Sequence, residues 1–576
     1  MSASLHDRLS QRVEDLTERT LDLLPSMPGS DGDMVGFAPV LAKTLRRAAL
    51  RPLVTGQAML RYATGVAQAT TGTALRAVGR TAEDPVTVDP RDRRFADEAW
   101  EDSPVFHLVL QQYLLLRRLV DETVEAGAPD GIEGDKARMG AAFVLDMLAP
   151  TNMLFTNPVA LQTAVETHGR SLLTGMQHFM DDLVNNSGRP SQVDRTPFTV
   201  GGNLACTPGK VVFRNALIEL IQYEAQTEKV FSTPLLLSPP WINKYYVMDL
   251  APGRSFAEWA VQHGHTVFAI SYRNPTPEMS DTGMEDYLTD GLLTAVDVVR
   301  EITGVKSVNV AALCLGGTLT TIMLGHLANI GQSDHVKSVT LLNTLTDFAD
   351  SGPLTCFTDV RTVERLEEKM AETGLLDGAE MRSTFDMLRA NDLIFNYVVS
   401  NWLLGKTPPA FDILAWNDDT TNMPAKMHSF YLRQCYVDNR LVKGELEVLG
   451  DRIDLGKIPQ DVFIVGAVND HIAPWETTFR GIQRLTSADV TYVLSSAGHI
   501  AGVVNPPSPK ASYRTREGVE GTPQEWLDGT EEVQASWWEP WAEWIGARAG
   551  RLRAARVVGS AANPAICDAP GTYVLE

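Results

Sequence analysis

The sequence has no uninterrupted apolar run long enough to span a membrane. Its first residues, MSASLHDRLSQRVEDLTERT, also lack the apolar segment that a signal peptide requires. The sequence therefore predicts neither a transmembrane segment nor export.

Cysteine is scarce. The 576 residues include five cysteines, an odd number, and none of them lies in a C-x-x-C motif. This pattern indicates neither a disulfide framework nor a zinc site, and it fits a reducing, cytoplasmic location. The five cysteines are Cys206, Cys314, Cys356, Cys435 and Cys567.

Basic residues are fewer than acidic ones, 50 Lys and Arg against 72 Asp and Glu, so the formal net charge is −22. A surface of this sign repels nucleic acid, so we expect no nucleic-acid partner. Basic residues cluster once, between Val40 and Arg80, where no Asp or Glu occurs. That stretch is either the solvated face of a helix or a basic amphipathic helix that lies on an anionic or apolar surface.

Two kinds of pattern divide the chain. Residues 1–200 are predicted to form a mainly helical domain, because apolar residues recur at helical spacing in the stretches that begin at His107 and Ala160. The turn-rich segment NNSGRPSQVDRTPF, from Asn185, ends this domain. Residues 201–576 form the second predicted domain.

Short apolar runs separated by helical stretches dominate this second domain. Continuous apolar runs are typical of parallel strands that are covered on both faces, so we expect an α/β fold with a doubly wound sheet. About 115 residues separate two of the runs, which predicts an inserted helical cap at about 343–460. The runs are PLLLSPP (from Pro234), TVFAIS (Thr266), VNVAAL (Val308), SVTLLN (Ser338), DVFIVGA (Asp461) and VTYVLS (Val490).

The stretch AALCLGGTLTT places Cys314 where the third run meets a predicted helix. In the α/β-hydrolase fold the nucleophile occupies a G-x-Nu-x-G turn at this point, because strand and helix approach too closely for larger side chains. Here Ala312 and Gly316 flank Cys314. Taken alone, such a cysteine is more often a buried packing residue.

The order of the remaining candidates changes that interpretation. The α/β-hydrolase fold carries its acid and then its histidine after later strands. Asp470 follows the run DVFIVGA, and His499 follows VTYVLS. His471 competes with His499, but adjacent side chains rarely face one another, so we expect His471 to be structural.

The predicted triad indicates a reaction in which each residue has its own role. His499 would deprotonate Cys314, Asp470 would orient the imidazole, and the thiolate would attack an acyl carbonyl. Two backbone N–H groups would stabilise the oxyanion, that of Leu315 and that of Ile242. A cysteine favours acyl transfer from a thioester, because one thioester is exchanged for another at little cost.

Beyond this turn the chain resembles the polyhydroxyalkanoate synthases, over about residues 90–550. The departures are Ala312 in place of the usual Gly and Tyr272 where many members have Trp. The matching blocks are DRRFADEAW (from Asp92), TNMLFTNP (Thr151), NLACTPGKVVFRN (Asn203), PPWINKYYVMDL (Pro239), SYRNP (Ser271), LTDFAD (Leu345), NDLIFNYVV (Asn391), DDTTNMP (Asp418), NDHIAPW (Asn469) and GHIAGVVNPP (Gly498).

The resemblance implies polymerisation of (R)-3-hydroxyacyl-CoA into a polyester with release of CoA, by a triad of Cys314, Asp470 and His499. It implies a single-subunit synthase, class I-like with class II left open, that needs no cofactor or metal beyond the CoA thioester substrate. It further implies a homodimer, a location at cytoplasmic polyester granules, and contacts of the N-terminal domain with the granule and with phasin-like proteins. We expect short acyl chains such as 3-hydroxybutyryl.

The sequence leaves two alternative functions open. A cysteine-dependent α/β-hydrolase or thioesterase would share the triad and transfer the acyl group to water. A granule-coating protein could keep the hydrolase scaffold without catalysis.

Overall fold

The computed structural model describes residues 35–486 and 488–576. These residues form two compact units. One comprises residues 35–194 together with Ser383–Pro409, and the other comprises Arg195–Arg382 and Ala410–Glu576. The predicted domain boundary, residue 200, lies close to this division. Of the predicted insertion at 343–460, the segment Ser383–Pro409 groups with the first unit, which the sequence did not indicate.

The first unit is helical. Two π-helical segments, Asn391–Phe395 and Val398–Leu403, also belong to it. Its α-helices are α1 (Phe37–Ala49), α2 (Pro52–Ala77), α3 (Ala99–Asp102), α4 (Pro104–Gly127), α5 (Ile132–Met147), α6 (Pro158–Glu166) and α7 (Arg170–Asn185).

The helical stretch predicted from Ala160 is two helices rather than one. Between α6 and α7, His168 and Gly169 have φ angles of 52° and 78°. A right-handed helix cannot continue through this left-handed conformation, which glycine adopts at low cost.

Helix α2 packs along α4 through small residues. Ala58, Gly65, Ala69 and Gly72 form its buried face. A Cβ atom on Gly65 would lie 2.4 Å from Cδ2 of Leu115. The missing side chains therefore allow the two helices to approach closely.

The basic stretch between Val40 and Arg80 lies mainly on α1 and α2 and is partly neutralised. Lys43 forms an ion pair with Glu133 at 2.6 Å, and Arg61 forms one with Glu122 at 2.8 Å. Its suggested binding to a surface stays a prediction. Large apolar side chains are also exposed on this stretch: Leu50, Leu53, Val54, Met59, Leu60 and Val78.

The second unit is built on one sheet of eleven strands. Their order across the sheet is β10-β9-β8-β7-β6-β5-β3-β4-β2-β1-β11. In chain order the strands are β1 (Gly209–Arg214), β2 (Ile218–Tyr223), β3 (Leu235–Ser238), β4 (Val267–Tyr272), β5 (Val308–Leu313), β6 (Val336–Leu342), β7 (Asp461–Ala467), β8 (Val490–Ser495), β9 (Tyr513–Thr515), β10 (Glu531–Val533) and β11 (Cys567–Asp568).

The six strands from β3 to β8 pair in parallel and are the six runs predicted from the sequence. The predicted parallel sheet is therefore confirmed. The remaining strands pair antiparallel at the two sides of this core and were not predicted.

The second unit also contains α-helices. They are α8 (Phe256–Gln262), α9 (Met284–Asp286), α10 (Thr294–Thr303), α11 (Leu315–Asn329), α12 (Val360–Thr373), α13 (Gly378–Leu388), α14 (Asp412–Asn417), α15 (Ala425–Tyr431), α16 (Arg440–Lys443), α17 (Trp475–Ile482), α18 (Pro523–Asp528) and α19 (Trp538–Arg548). Only the first part of α13, up to Arg382, groups with the second unit.

Successive residues of the central strands are buried on opposite faces of the sheet. In β7, Val462 and Ile464 share one hydrophobic cluster with Ile322 of α11. Phe463 between them contacts Trp544 of α19, with 5.5 Å between ring centroids. This double burial explains why the strands are continuous apolar runs.

Among the described residues, no helix combines the length and apolarity that crossing a bilayer demands.

Candidate active site

Cys314 is the single residue between β5 and α11. Its backbone has φ 51° and ψ −117°, a strained conformation for a residue with a side chain. Hydrogen bonds hold this turn: the Cys314 N–H donates to the Leu342 carbonyl at 2.9 Å, and the Cys314 carbonyl accepts from the Gly317 N–H at 2.9 Å. The thiol is half-buried. The turn therefore presents a fixed, partly accessible sulfur at the start of a helix.

The small residues around Cys314 are required by close approach of the backbone. A Cβ atom on Gly316 would lie 2.2 Å from the Ser238 carbonyl oxygen and 2.6 Å from that of Pro239. No side chain fits there. Ala312, in place of the usual glycine, is fully buried in β5 between β3 and β6, where its methyl group is accommodated.

Asp470 and His499 follow β7 and β8, which are parallel neighbours. The Nδ1 atom of His499 lies 2.6 Å from Oδ2 of Asp470. The other carboxylate oxygen, Oδ1, accepts N–H bonds from Ile472 at 2.9 Å and Ala473 at 2.8 Å. Both oxygens are thus engaged, and the aspartate side chain is fully buried. His499, not His471, is the imidazole bonded to Asp470.

The Cys314 side chain lies within electrostatic reach of His499. Since Nδ1 is occupied by Asp470, Nε2 is the nitrogen available to the sulfur. The three residues predicted from the sequence are therefore brought together in the order Cys314, His499, Asp470.

Electrostatics favour a charged imidazole at this site. Burial of His499 opposes its protonation, but the carboxylate of Asp470 and the Cys314 side chain together raise the pKa of His499 well above its ordinary value. A proton taken from the sulfur is therefore held on the ring.

The two predicted oxyanion donors lie on segments that the structure holds in place. Leu315 is the first residue of α11, so its N–H has no acceptor within the helix. On either side of Ile242, the Trp241 carbonyl accepts from Thr421 Oγ1 at 2.7 Å and the Lys244 carbonyl accepts from Trp416 Nε1 at 2.7 Å. The contact of Gly316 with Ser238 and Pro239 brings this loop against the start of α11.

Sequence reasoning missed an aromatic group beside Cys314. The rings of Tyr431 and Tyr436 lie 5.4 Å apart, and Phe348 lies 4.9 Å from Tyr436. Burial, and to a smaller extent negative charge on Cys314, raise the pKa of Tyr436 above its ordinary value. The phenol therefore lies within electrostatic reach of the sulfur.

A π-helical turn, Leu432–Val437, continues α15 and accounts for this arrangement. Its wider turn places residues five apart on nearly the same face, so Tyr431 and Tyr436 face the same side. The spacing Y-x4-Y carries no such signal if the segment is taken as a regular α-helix.

Among the described residues, no group of three or more His, Cys, Asp or Glu side chains is placed to hold a metal ion.

Comparisons with known proteins identify relatives of the chain. Residues 91–260 match the family described as the N-terminus of poly-beta-hydroxybutyrate polymerase (PhaC), and residues 241–506 match the α/β hydrolase fold family. The chain is 41% identical to a poly(3-hydroxyalkanoate) polymerase of Methylorubrum extorquens, over 95% of this chain and 92% of the relative.

Two further relatives carry the same description. The chain is 38% identical to poly(3-hydroxyalkanoate) polymerase 1 of Ectopseudomonas oleovorans, over 100% of both chains. It is 41% identical to a poly(3-hydroxyalkanoate) polymerase subunit of Cupriavidus necator, over 84% of this chain and 83% of the relative.

Proposed function

The chain belongs to the poly(3-hydroxyalkanoate) polymerase family, a family of acyltransferases, and we propose that it polymerises (R)-3-hydroxyacyl-CoA into a polyester through a thioester on Cys314. The observation that carries this proposal is the hydrogen bond between His499 and Asp470 with Cys314 beside the imidazole, all three at the carboxyl ends of strands of one parallel sheet. Each of these side chains has a defined task.

Acylation begins with proton transfer. Nε2 of His499 takes the Sγ proton of Cys314, and the thiolate attacks the thioester carbonyl of the substrate. The C–S bond to CoA then breaks, and the imidazolium returns the proton to the departing CoA sulfur. The acyl group now forms a thioester with Cys314, and CoA is released as the free thiol.

Chain growth uses the same base. His499, supported by Asp470, removes the proton from the 3-hydroxyl group of the next unit. The resulting oxygen attacks the carbonyl of the acyl thioester on Cys314. An ester bond forms, the C–S bond to the cysteine breaks, and the sulfur recovers the proton. The N–H groups of Leu315 and Ile242 stabilise the negative oxygen in both steps.

We propose that the aromatic group near the sulfur favours short acyl chains. Phe348, Tyr431 and Tyr436 form an aromatic group there. Such rings fill space that a longer acyl side chain needs, and one or two methylenes change binding by about 1–3 kcal/mol. We therefore assign 3-hydroxybutyryl-CoA as the substrate.

The polymer surface is the proposed location of the enzyme. In the first unit, α7 exposes Leu173, Met176, Met180 and Leu183 at alternating spacings of three and four residues. Together with the exposed apolar side chains of α2, such a surface favours contact with a polyester granule or with granule proteins.

Incubation of the purified protein with (R)-3-hydroxybutyryl-CoA tests the proposal. We expect free CoA, turbidity and chloroform-extractable polyester. Cys314→Ala should abolish CoA release, whereas Cys567→Ala, at another half-buried free cysteine, should retain it.

Other outcomes of this experiment would contradict specific parts of the proposed function. Soluble 3-hydroxybutyrate without polymer would indicate a thioesterase, and CoA release by Cys314→Ala would indicate that this cysteine is not the nucleophile. A faster reaction with longer members of a series of acyl lengths would overturn the assigned substrate size.

A further inference from the structure

The end of β6 and the residue after it contact three parts of the site. The Leu342 carbonyl accepts the Cys314 N–H at 2.9 Å, and the Asn343 N–H donates to the Val465 carbonyl of β7 at 2.8 Å. The side-chain amide of Asn343 donates from Nδ2 to the carbonyl oxygen of His499. Two adjacent residues thus bind the nucleophile, the strand that precedes the acid, and the histidine loop.

Asn343 occupies an unfavourable position. It is fully buried, and its φ angle of 43° is one that asparagine tolerates better than most residues. Among the described residues its Oδ1 atom has no hydrogen-bond partner. A strained backbone and an unpartnered buried acceptor are both costly. The side chain of Asn343 offsets these costs through the hydrogen bond from its Nδ2 atom to the His499 carbonyl.

Other bonds hold the loop around His499 to the acid and to Trp537. The His499 side chain is bonded to Asp470, the Asn469 N–H donates to the Ala497 carbonyl at 3.1 Å, and Nε1 of Trp537 donates to the Gly502 carbonyl at 2.6 Å. These three bonds do not reach the turn at Cys314. The bond from Asn343 fixes the backbone of His499 to the turn that also holds Cys314.

We propose that Asn343 is a positioning residue, which sets the distance between Nε2 of His499 and the sulfur of Cys314. The proposal rests on the proposed function, since it assumes that His499 deprotonates Cys314. A displacement of about 1 Å between reacting groups lowers rates by up to about a hundredfold, so loss of one backbone anchor is measurable.

Two substitutions remove the amide. Asn343→Leu keeps the approximate shape, and Asn343→Gly removes the side chain while relieving the positive φ angle. Asn157→Leu is the matched control. Asn157, in the first unit, is also buried, and its side-chain amide also donates from Nδ2 to a backbone carbonyl, that of Thr151 at 2.7 Å.

The readout is the alkylation rate of Cys314 by iodoacetamide, followed by mass spectrometry of its peptide, at neutral pH and at about pH 10. At neutral pH we expect both Asn343 variants to react about tenfold more slowly than the unaltered protein. At high pH, where hydroxide can take the place of His499 as the base, the rates should converge. Asn157→Leu should match the unaltered protein at both pH values, and kcat should fall in the Asn343 variants with little change in KM.

His499→Ala separates the two hypotheses. If it slows alkylation at neutral pH but the Asn343 variants do not, the positioning role is wrong and the triad stands. If His499→Ala leaves alkylation unchanged, His499 does not activate the cysteine, and both proposals fail. A variant that loses only thermal stability also overturns the positioning role.

Discussion

Oδ2 of Asp470 lies 2.6 Å from Nδ1 of His499, although 29 positions separate the two residues in the chain. The parallel pairing of β7 and β8 creates this proximity, because Val462 pairs with Val490 and the register continues to the ends of both strands. The carboxyl ends of the strands therefore deliver the two side chains to one edge of the sheet.

Asp470→Asn should reduce catalysis while the fold is kept. The amide can still accept the N–H bonds of Ile472 and Ala473, but an NH₂ group directed at Nδ1 favours the wrong tautomer of His499. We expect kcat for CoA release to fall by about 10²–10⁴-fold. Asp461→Asn, at the other end of β7, is the control and should retain activity. A threefold effect or less at Asp470 would contradict its role.

Gly316→Ala should destabilise the second unit. The added methyl group would lie 2.2 Å from the Ser238 carbonyl oxygen, and a backbone atom cannot move aside cheaply. Overpacking of this kind costs about 1–3 kcal/mol or more. Urea denaturation measures the loss. The same exchange at Gly56, where nothing lies within 4 Å of the new Cβ, should not destabilise the protein, so equal losses at the two positions would refute the steric argument.

Ala312→Gly tests whether the methyl group matters to the turn. Ala312 is fully buried within β5, and glycine in a strand interior costs about 0.5–1 kcal/mol. The backbone of Cys314 is held by its own bonds to Leu342 and Gly317. We therefore expect CoA release to stay within about twofold of the unaltered rate. A tenfold change in either direction would show that Ala312 sets the geometry of the nucleophile.

The parts of the fold that the sequence predicted have a common physical origin. Strands β3 to β8 are buried on both faces, so each is a continuous apolar run, and the triad follows the ends of three of them. The edge strands lack this property, and β2 is buried but contains Glu219 and Gln222, which interrupt its apolar run. β10 is wholly exposed, and β11 has two residues.

Asn343 and Tyr436 could not be found in the same way. The bond from Asn343 reaches a residue 156 positions away, and its value depends on a local left-handed turn. Tyr436 reaches the site because a π-helical turn changes which side chains share a face. Neither feature leaves a periodic pattern in the sequence.

Asp249 makes the stability of the second unit depend on pH. The carboxyl group is fully buried and accepts hydrogen bonds from Thr207 Oγ1 at 2.5 Å, Ser255 Oγ at 2.7 Å and Tyr223 OH at 3.1 Å. Burial raises its pKa to about 6, since the three hydroxyl groups offset only part of the desolvation. The folded protein therefore binds a proton here at pH values where the unfolded chain, with a pKa of about 3.9, has lost it.

The sign of the effect follows from this difference. The stability contributed by protonated Asp249 is complete below about pH 3.9, falls as the pH rises through about 6, and is absent above, a loss of about 2–3 kcal/mol. Asp249→Asn stays neutral and should lack this decline. Urea denaturation of both proteins between about pH 4 and pH 8 should therefore give a difference in unfolding free energy that shifts in favour of the variant as the pH rises. Parallel curves would mean that Asp249 has its ordinary pKa in the folded protein.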